Sequence, residues 1–243
     1  MAANPPIESV TDKRLRELFA SGHPLLYLLS AEEQRVRRLL RRAAREFLAK
    51  PVPFWSWSLT EGMREDGADA AVAETTDPRA ALDFIAGRTE PGLFQLKDFH
   101  DPMREAADVR RRLRDLFALC AERGQYVVIT SPVRQIPDEL VTNLLYFELT
   151  MPDFIEIRAF LDERAAAVTK AGVWVDTRET TLDLMTRALQ GLSLDESEFA
   201  IRRAVAETGK LGRELLPALY AEKRQRVNRS GTIEYVAEGG DME

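Results

Sequence analysis

The sequence is poor in the residues that most often carry chemistry. Its 243 residues include one cysteine, Cys120, and two histidines, His23 and His100. A single cysteine excludes an internal disulfide and a multi-cysteine zinc site. Two histidines leave no basis for a histidine-rich metal centre. No apolar run approaches the ~18 residues that a membrane-spanning helix needs. The opening stretch has no basic-then-apolar leader pattern, so a cytoplasmic protein is expected. Neither Gly-x-Gly-x-x-Gly nor Gly-x-x-x-x-Gly-Lys-[Ser/Thr] occurs, which removes the two usual phosphate-cradling loops. Positive charge is not in excess either. Forty acidic against 34 basic residues give a net charge of -6, which argues against a general polyanion binder.

What remains is ordinary globular material, 45% hydrophobic and 30% charged. That suits one large domain, or a medium one with a smaller companion. Residues 1–22 read as a tail and a short helix. From residue 23, strands and helices alternate. Apolar runs at 23–30, 53–58, 92–99, 126–130 and 144–149 read as five strands. Helices are expected between them. One is the arginine-rich segment 31–50, with Ser30 and Glu33 placed for a capping box. Another is 78–87, with Asp77 as cap and Pro78 in its first turn. A third is 105–123, stopped by Gly124. Residues 60–76 read as a loop. This rhythm predicts an α/β domain over 23–170 with a mostly parallel five-stranded sheet. Beyond residue 153 the periodicity is helical only, which predicts a small helical domain over 171–229 and a tail over 230–243.

Few residues present themselves as a site. The turn after the first strand is Leu29-Ser30-Ala31-Glu32-Glu33. It has no glycine to wrap a phosphate and no lysine to meet one. Glu32 and Glu33 would repel a triphosphate at a helix start and instead complement the helix dipole. Asp98, at the end of an apolar strand, could hold magnesium. A structural role in capping the next turn is the expectation, with Lys97 neutralising Asp98 or facing solvent. Thr130 and Ser131, at the tip of strand 126–130, stand where a ligand could be touched, and also where a turn before Pro132 is needed. Cys120 reads as a small core residue and His23 as structural. His100, between acids, reads as loop polarity. Trp55 and Trp57 alternate onto one core-facing side of their strand. Arg35, Arg38, Arg42 and Arg45 lie on one strongly basic helix. They are read as a solvated face or a protein-interaction surface. Aromatic residues that would stack on bases are not interleaved with them, and nearby acids can pair with them, so nucleic acid is a minor alternative.

The order of several segments resembles a known family. They are Leu25–Arg38, Phe54–Gly62, Leu93–His100, Tyr126–Pro132 followed by Ile136–Leu140, Gly191–Val205 and Glu222–Tyr235. Together they are similar to the amino-terminal half of the bacterial and plastid-encoded AAA-type ATPases. In that family a degenerate, non-catalytic AAA-like module precedes an active one. The resemblance implies a P-loop-NTPase-like α/β scaffold followed by an all-helical lid. It also implies degenerate site positions. Ser30, Glu32 and Glu33 would stand at the phosphate loop and Asp98 at the magnesium acids, with Phe99 in place of the second acid. Thr130 and Ser131 would stand at the polar sensor. No Arg or Lys lies within Pro137–Glu148, where an arginine finger is expected. Met151-Pro152-Asp153 and Arg158 look like the family's pattern after the fifth strand.

In the family a catalytic module follows the equivalent of Gly231–Tyr235, whereas this chain runs only eight residues further. The expectation is therefore a non-catalytic module, free-standing or half of a split machine, that takes no cofactor of its own. It would bind a protein partner such as a catalytic AAA subunit. The alternatives are a divergent ATPase using ATP and magnesium, and a nucleic-acid-binding regulator working through the arginine helices.

Overall fold

The structure is a computed structural model that describes residues 8–230, with side chains to 225. The described chain divides into two compact units, Val10–Thr150 and the residues from Met151 on, with residues 8 and 9 counted in the latter.

The first unit holds helix α1 (Val10–Ala20), strand β1 (Leu25–Leu29), α2 (Glu33–Arg42), β2 (Phe54–Ser58), β3 (Gly62–Glu65), α3 (Pro78–Gly87), β4 (Gly92–Lys97), α4 (His100–Glu105), α5 (Ala107–Arg123), β5 (Gln125–Ser131) and β6 (Leu145–Glu148). The strands form one sheet in the order β3-β2-β4-β5-β1-β6. Five of them run parallel. Leu25 to Leu29 lie beside Val127 to Ser131, and Gln95 lies beside both Ser56 and Val128. The central strands are buried on both faces, which is why they read as continuous apolar runs rather than alternating ones.

The sheet has six strands, not five. The extra one, β3, pairs antiparallel with β2 at the edge, Ser58 opposite Gly62. It lies inside the segment read as a loop. Four residues, GMRE, carry too little pattern to announce a strand. Their order comes from neighbours: Met63 donates its N–H to the Thr75 hydroxyl and accepts from Val72 N–H. Gly62 has φ +73, and a Cβ there would come within 2.8 Å of the Thr75 hydroxyl. Only glycine fits that corner.

Helices cover both faces. On one, α3, α4 and α5 bury Leu82, Ile85, Met103, Leu113, Leu116 and Cys120 against Tyr27, Trp57, Leu96 and Ile129. Trp55 and Trp57 both join this side, as alternation requires, while Phe54 joins the other. On that other face Leu15, Phe19, Val36, Leu39 and Leu40 of α1 and α2 pack on Leu26, Leu28, Leu93 and Val128. Asp77 accepts from Ala80 N–H with Pro78 in the first turn, and Gly124 closes α5 in the left-handed region. The capping box expected at Ser30 and Glu33 does not form. The cap position of α2 is Glu32, without a side-chain cap, and the Ser30 hydroxyl accepts from Glu32 N–H instead. The helix ends in a π turn, Ala43–Phe47, short of Pro51.

The second unit holds α6 (Phe154–Lys170), β7 (Trp174–Val175), α7 (Glu179–Leu189), α8 (Leu194–Thr208), β8 (Lys210–Leu211) and α9 (Leu216–Ser230). The divide falls at 150/151 rather than 170/171, because α6 shares its core with the lid-like helices. Ile157, Phe160 and Leu161 pack with Leu182, Met185, Ile201 and Leu219. Likewise α1 is part of the α/β unit, not of a separate tail. The unit is not purely helical, since β7 and β8 form a short parallel ladder. Asp176, just past β7, accepts from the Arg178 guanidinium and the Thr181 hydroxyl. The Arg178 contact holds its carboxyl well below the usual carboxylate range. Ser193 and Glu196 supply a complete capping box for α8. Of the expected tail over 230–243, residues 231–243 lie outside the described residues, as does the Gly231–Tyr235 part of the resemblance.

Candidate functional site

In an open parallel sheet the ligand crevice lies beyond the carboxyl ends of the strands, where the strand order reverses. Here that point is the end of β1. The chain leaves β1 through α2 toward β2, returns through β4 and β5, and then passes β1 to form β6. The ends of β1, β4 and β5 bring Ser30, Ala31, Glu33, Lys97, Asp98, Thr130, Ser131 and Pro132 around one cleft of about 120 Å³. The degenerate positions named from sequence therefore converge, with Glu32 beside them in the same loop.

The cleft is cross-braced by its own side chains. Lys97 Nζ donates to Glu33 Oε1 at 2.5 Å, joining the end of β4 to the first turn of α2. The sequence placed Lys97 against Asp98 or in solvent, but its partner is 64 residues away. Two loop N–H groups that could face an anion are turned inward. Glu32 N–H goes to Ser30 Oγ at 3.0 Å and Glu33 N–H to the Ala31 carbonyl at 3.2 Å. Ser30 N–H donates to the Ser131 carbonyl at 2.9 Å, and Asp98 N–H to the Thr130 carbonyl at 2.8 Å. Glu32 is drawn away to Arg35 Nη1 at 2.8 Å.

Asp98 has φ +52 and an exposed side chain. It does not cap the following helix. Phe99 holds the cap position of α4 and its side chain makes no capping bond. Phe99 itself is buried against Trp57, ring centroids 5.0 Å apart, so the residue at the second acid position serves the core.

Ser131 is buried, and its hydroxyl meets His100 Nδ1 at 3.0 Å and donates to the Val133 carbonyl at 2.9 Å. His100 thus ties the start of α4 to the tip of β5. His23 Nδ1 lies 2.9 Å from the Leu25 carbonyl and its ring meets Phe117 edge-on, a structural placement. Cys120 is fully buried, and burial pushes its thiol up to about 12, far from a reactive thiolate.

Sequence reasoning did not single out Gln95. It is fully buried beneath α2, with Nε2 donating to Thr130 Oγ1 at 3.2 Å, while its Oε1 has no partner among the described residues. A lone polar residue inside GLFQLK was the available signal.

The arginine surface needs a correction. Arg35 is 1% exposed and cannot belong to it. Its guanidinium bonds Glu32, the Thr150 carbonyl at 2.8 Å and the Thr11 hydroxyl. It ties α1, the loop after β1 and the chain beyond β6. A helical wheel counts arginines without showing that one of them points inward. Arg42 pairs with Asp12, while Arg37 and Arg41 converge on Asp66. Arg38 is half-buried and Arg45 exposed. In the helical unit Arg158 is held by Asp162, Glu179 and Asp183 at 3.1, 2.7 and 2.5 Å.

Comparison with known proteins agrees with this architecture. Residues 11–149 match the family model described as SpoVK-like AAA ATPase, N-terminal domain, and residues 155–230 match its second domain. The chain is 25% identical over 223 residues to an AAA domain-containing protein, ycf46, of Pyropia yezoensis, covering 91% of this chain and 44% of that protein. Its likeness to the ycf46 protein of Guillardia theta is 27% over 225 residues, covering 92% and 43%. The chain thus spans less than half the length of these curated relatives. Among solved structures it is similar to Caenorhabditis elegans PCH-2, with a TM-score of 0.55 at 10% identity, over 90% of this chain and 66% of that one. It is also similar to RuvB of Thermotoga maritima, with a TM-score of 0.51 at 10% identity, over 87% and 67%. At such identities these two speak for the fold alone.

Proposed function

The chain belongs to the SpoVK-like AAA ATPases, and on that premise we propose that it is a non-catalytic AAA-like module that works by binding a protein partner. The carrying observation is the Lys97–Glu33 ion pair across a cleft of about 120 Å³. Small-molecule pockets run from about 300 Å³ upward. Phosphoryl transfer depends on positioning and positive charge around the phosphates. Here a carboxylate stands at the helix start, the nearest cation is spent on it, and the N–H groups of Glu32 and Glu33 bond within the loop. These features fit a magnesium–nucleotide poorly. Among the arginines of α2, Arg35, Arg37, Arg41 and Arg42 bond acids of the same unit. That favours a protein surface over a nucleic-acid track. The curated relatives are more than twice as long as the stretch matched here. The partner we propose is therefore an AAA module with an intact phosphate loop, in the same or another chain.

The test is nucleotide binding. Millimolar Mg-ATP should leave the melting temperature of the chain unchanged, and titration calorimetry should register no heat of binding. The Glu33→Gln, Lys97→Met double variant should behave the same, because removing the brace supplies neither glycines nor a phosphate-binding lysine. A magnesium-dependent ATP affinity in the micromolar range would overturn the reading.

A further inference from the structure

The two edges of the sheet are finished differently. At β3 the outward groups of Met63 are taken up: its N–H by Thr75 Oγ1 at 2.8 Å and its carbonyl by Val72 N–H at 2.7 Å. At β6 nothing comparable occurs among the described residues. Leu149 N–H donates to the Leu29 carbonyl at 3.0 Å, and β6 runs parallel to β1 with Tyr146 beside Tyr27. Residues 145, 147 and 149 therefore turn their backbone polar groups toward β1. Tyr146 and Glu148 turn theirs outward. An open groove of about 550 Å³ follows this edge, lined by Leu145, Tyr146, Phe147 and Glu148 together with Arg14, Glu17 and Leu18 of α1. The strand LYFE holds no proline, glycine or lysine to blunt it.

We propose that β6 is a self-pairing edge on which a second copy of this chain adds its own β6 antiparallel about a two-fold axis at Phe147. Only residues 146 and 148 present outward groups, so a two-fold arrangement pairs Tyr146 with Glu148 of the second copy, twice. That gives four backbone hydrogen bonds. The side chains agree with this register. Tyr146 already donates its hydroxyl to Glu148 Oε2 at 3.2 Å, so the two are complementary and share one face. Across the axis each Tyr146 would meet the other copy's Glu148 in the same way. On the opposite face Phe147, half-buried in the groove, would meet its counterpart at the axis, and Leu145 would lie opposite Leu149 of the second copy. Arg14 and Glu17 flank them with opposite charges, and both occur on each copy. An isologous contact needs this self-complementarity. The inference is independent of whether the cleft binds nucleotide.

Sedimentation equilibrium of the 243-residue chain should show a concentration-dependent dimer. Glu148→Pro removes an outward N–H and no bond to β1, and should raise the dissociation constant at least about tenfold with an unchanged circular-dichroism melt. Glu148→Gln should leave it nearly unaltered. Phe147→Cys, at the axis, should cross-link to itself under mild oxidation. Exposed Val141→Cys should not, and the native thiol of Cys120 is buried. If Glu148→Pro does not fold, the Phe147→Cys cross-link still decides. A chain monomeric to about 100 μM, binding a partner's strand instead, overturns the proposal. So does an assembly indifferent to both variants.

Discussion

The two faces of the sheet differ toward the carboxyl ends of the strands. On the face under α3 and α5 the layer of Trp57, Leu96 and Ile129 is apolar, and beyond it Ser131 is buried against His100. Trp57, Leu96 and Ile129 are each at most 1% exposed, and Phe99 closes over them. On the face under α2 the layer begins with Phe54 and Leu93 and one step on turns polar at Ser56 and Gln95, with Thr130 buried a further step along β5. One strand, β4, serves both, alternating Phe94, Gln95 and Leu96. An apolar rim needs only shape to be stable. A polar rim needs partners, and here one acceptor, Gln95 Oε1, has none among the described residues. The scaffold is sealed where it only has to hold together. It stays polar and imperfectly satisfied at the crevice, where an α/β fold places its ligand.

Substitutions at three positions would sharpen or break this contrast, in decreasing order of effect. Leu96→Ala, on the sealed face, should lower unfolding stability by about 3 kcal/mol in a urea titration. A loss under about 1 kcal/mol would mean that this rim is loosely packed. Arg35→Ala leaves Glu32 and the Thr150 carbonyl without their shared donor beside the polar rim. Its cost should be about 2 kcal/mol. Arg35→Met, which keeps the buried stem, should recover only part of it. Gln95→Leu should shift stability by less than about 1 kcal/mol in either direction, because it deletes an unsatisfied acceptor while orphaning Thr130. A loss as large as that of Leu96→Ala would show that Gln95 is anchored by groups other than Thr130, and the contrast between the faces would fail.

Much of this was legible in the sequence, for identifiable reasons. Strand 54–58 announced itself through Phe54, Trp55 and Trp57, and helix 78–87 through Asp77 and Pro78. β3 was hidden because its pairing comes from β2 and Thr75, not from its own pattern. The β7–β8 ladder was hidden because two-residue strands have no period. Within the cleft, the missing glycines and lysine and the presence of Glu33 were plain in Leu29-Ser30-Ala31-Glu32-Glu33. The brace from Lys97 was not, since charge pairing across 64 residues leaves no local trace. Arg35 was misread for the opposite reason. Its surroundings in sequence are those of a surface helix, and only the packing of α1 shows that it is enclosed.

The sequence by itself determined the layers. Apolar runs and helical periodicity depend on the nearest few residues, so they mark the five parallel strands and the main helices and which residue types stand at each strand end. Tertiary structure alone decided what those ends do to one another. It set Lys97 on Glu33, turned Arg35 inward, joined α6 to the helical unit, and, among the described residues, left the edge of β6 open where Met63 of β3 is bonded. Each of these is a meeting of groups distant in the chain, and its geometry is set by sheet order and helix packing rather than by local pattern.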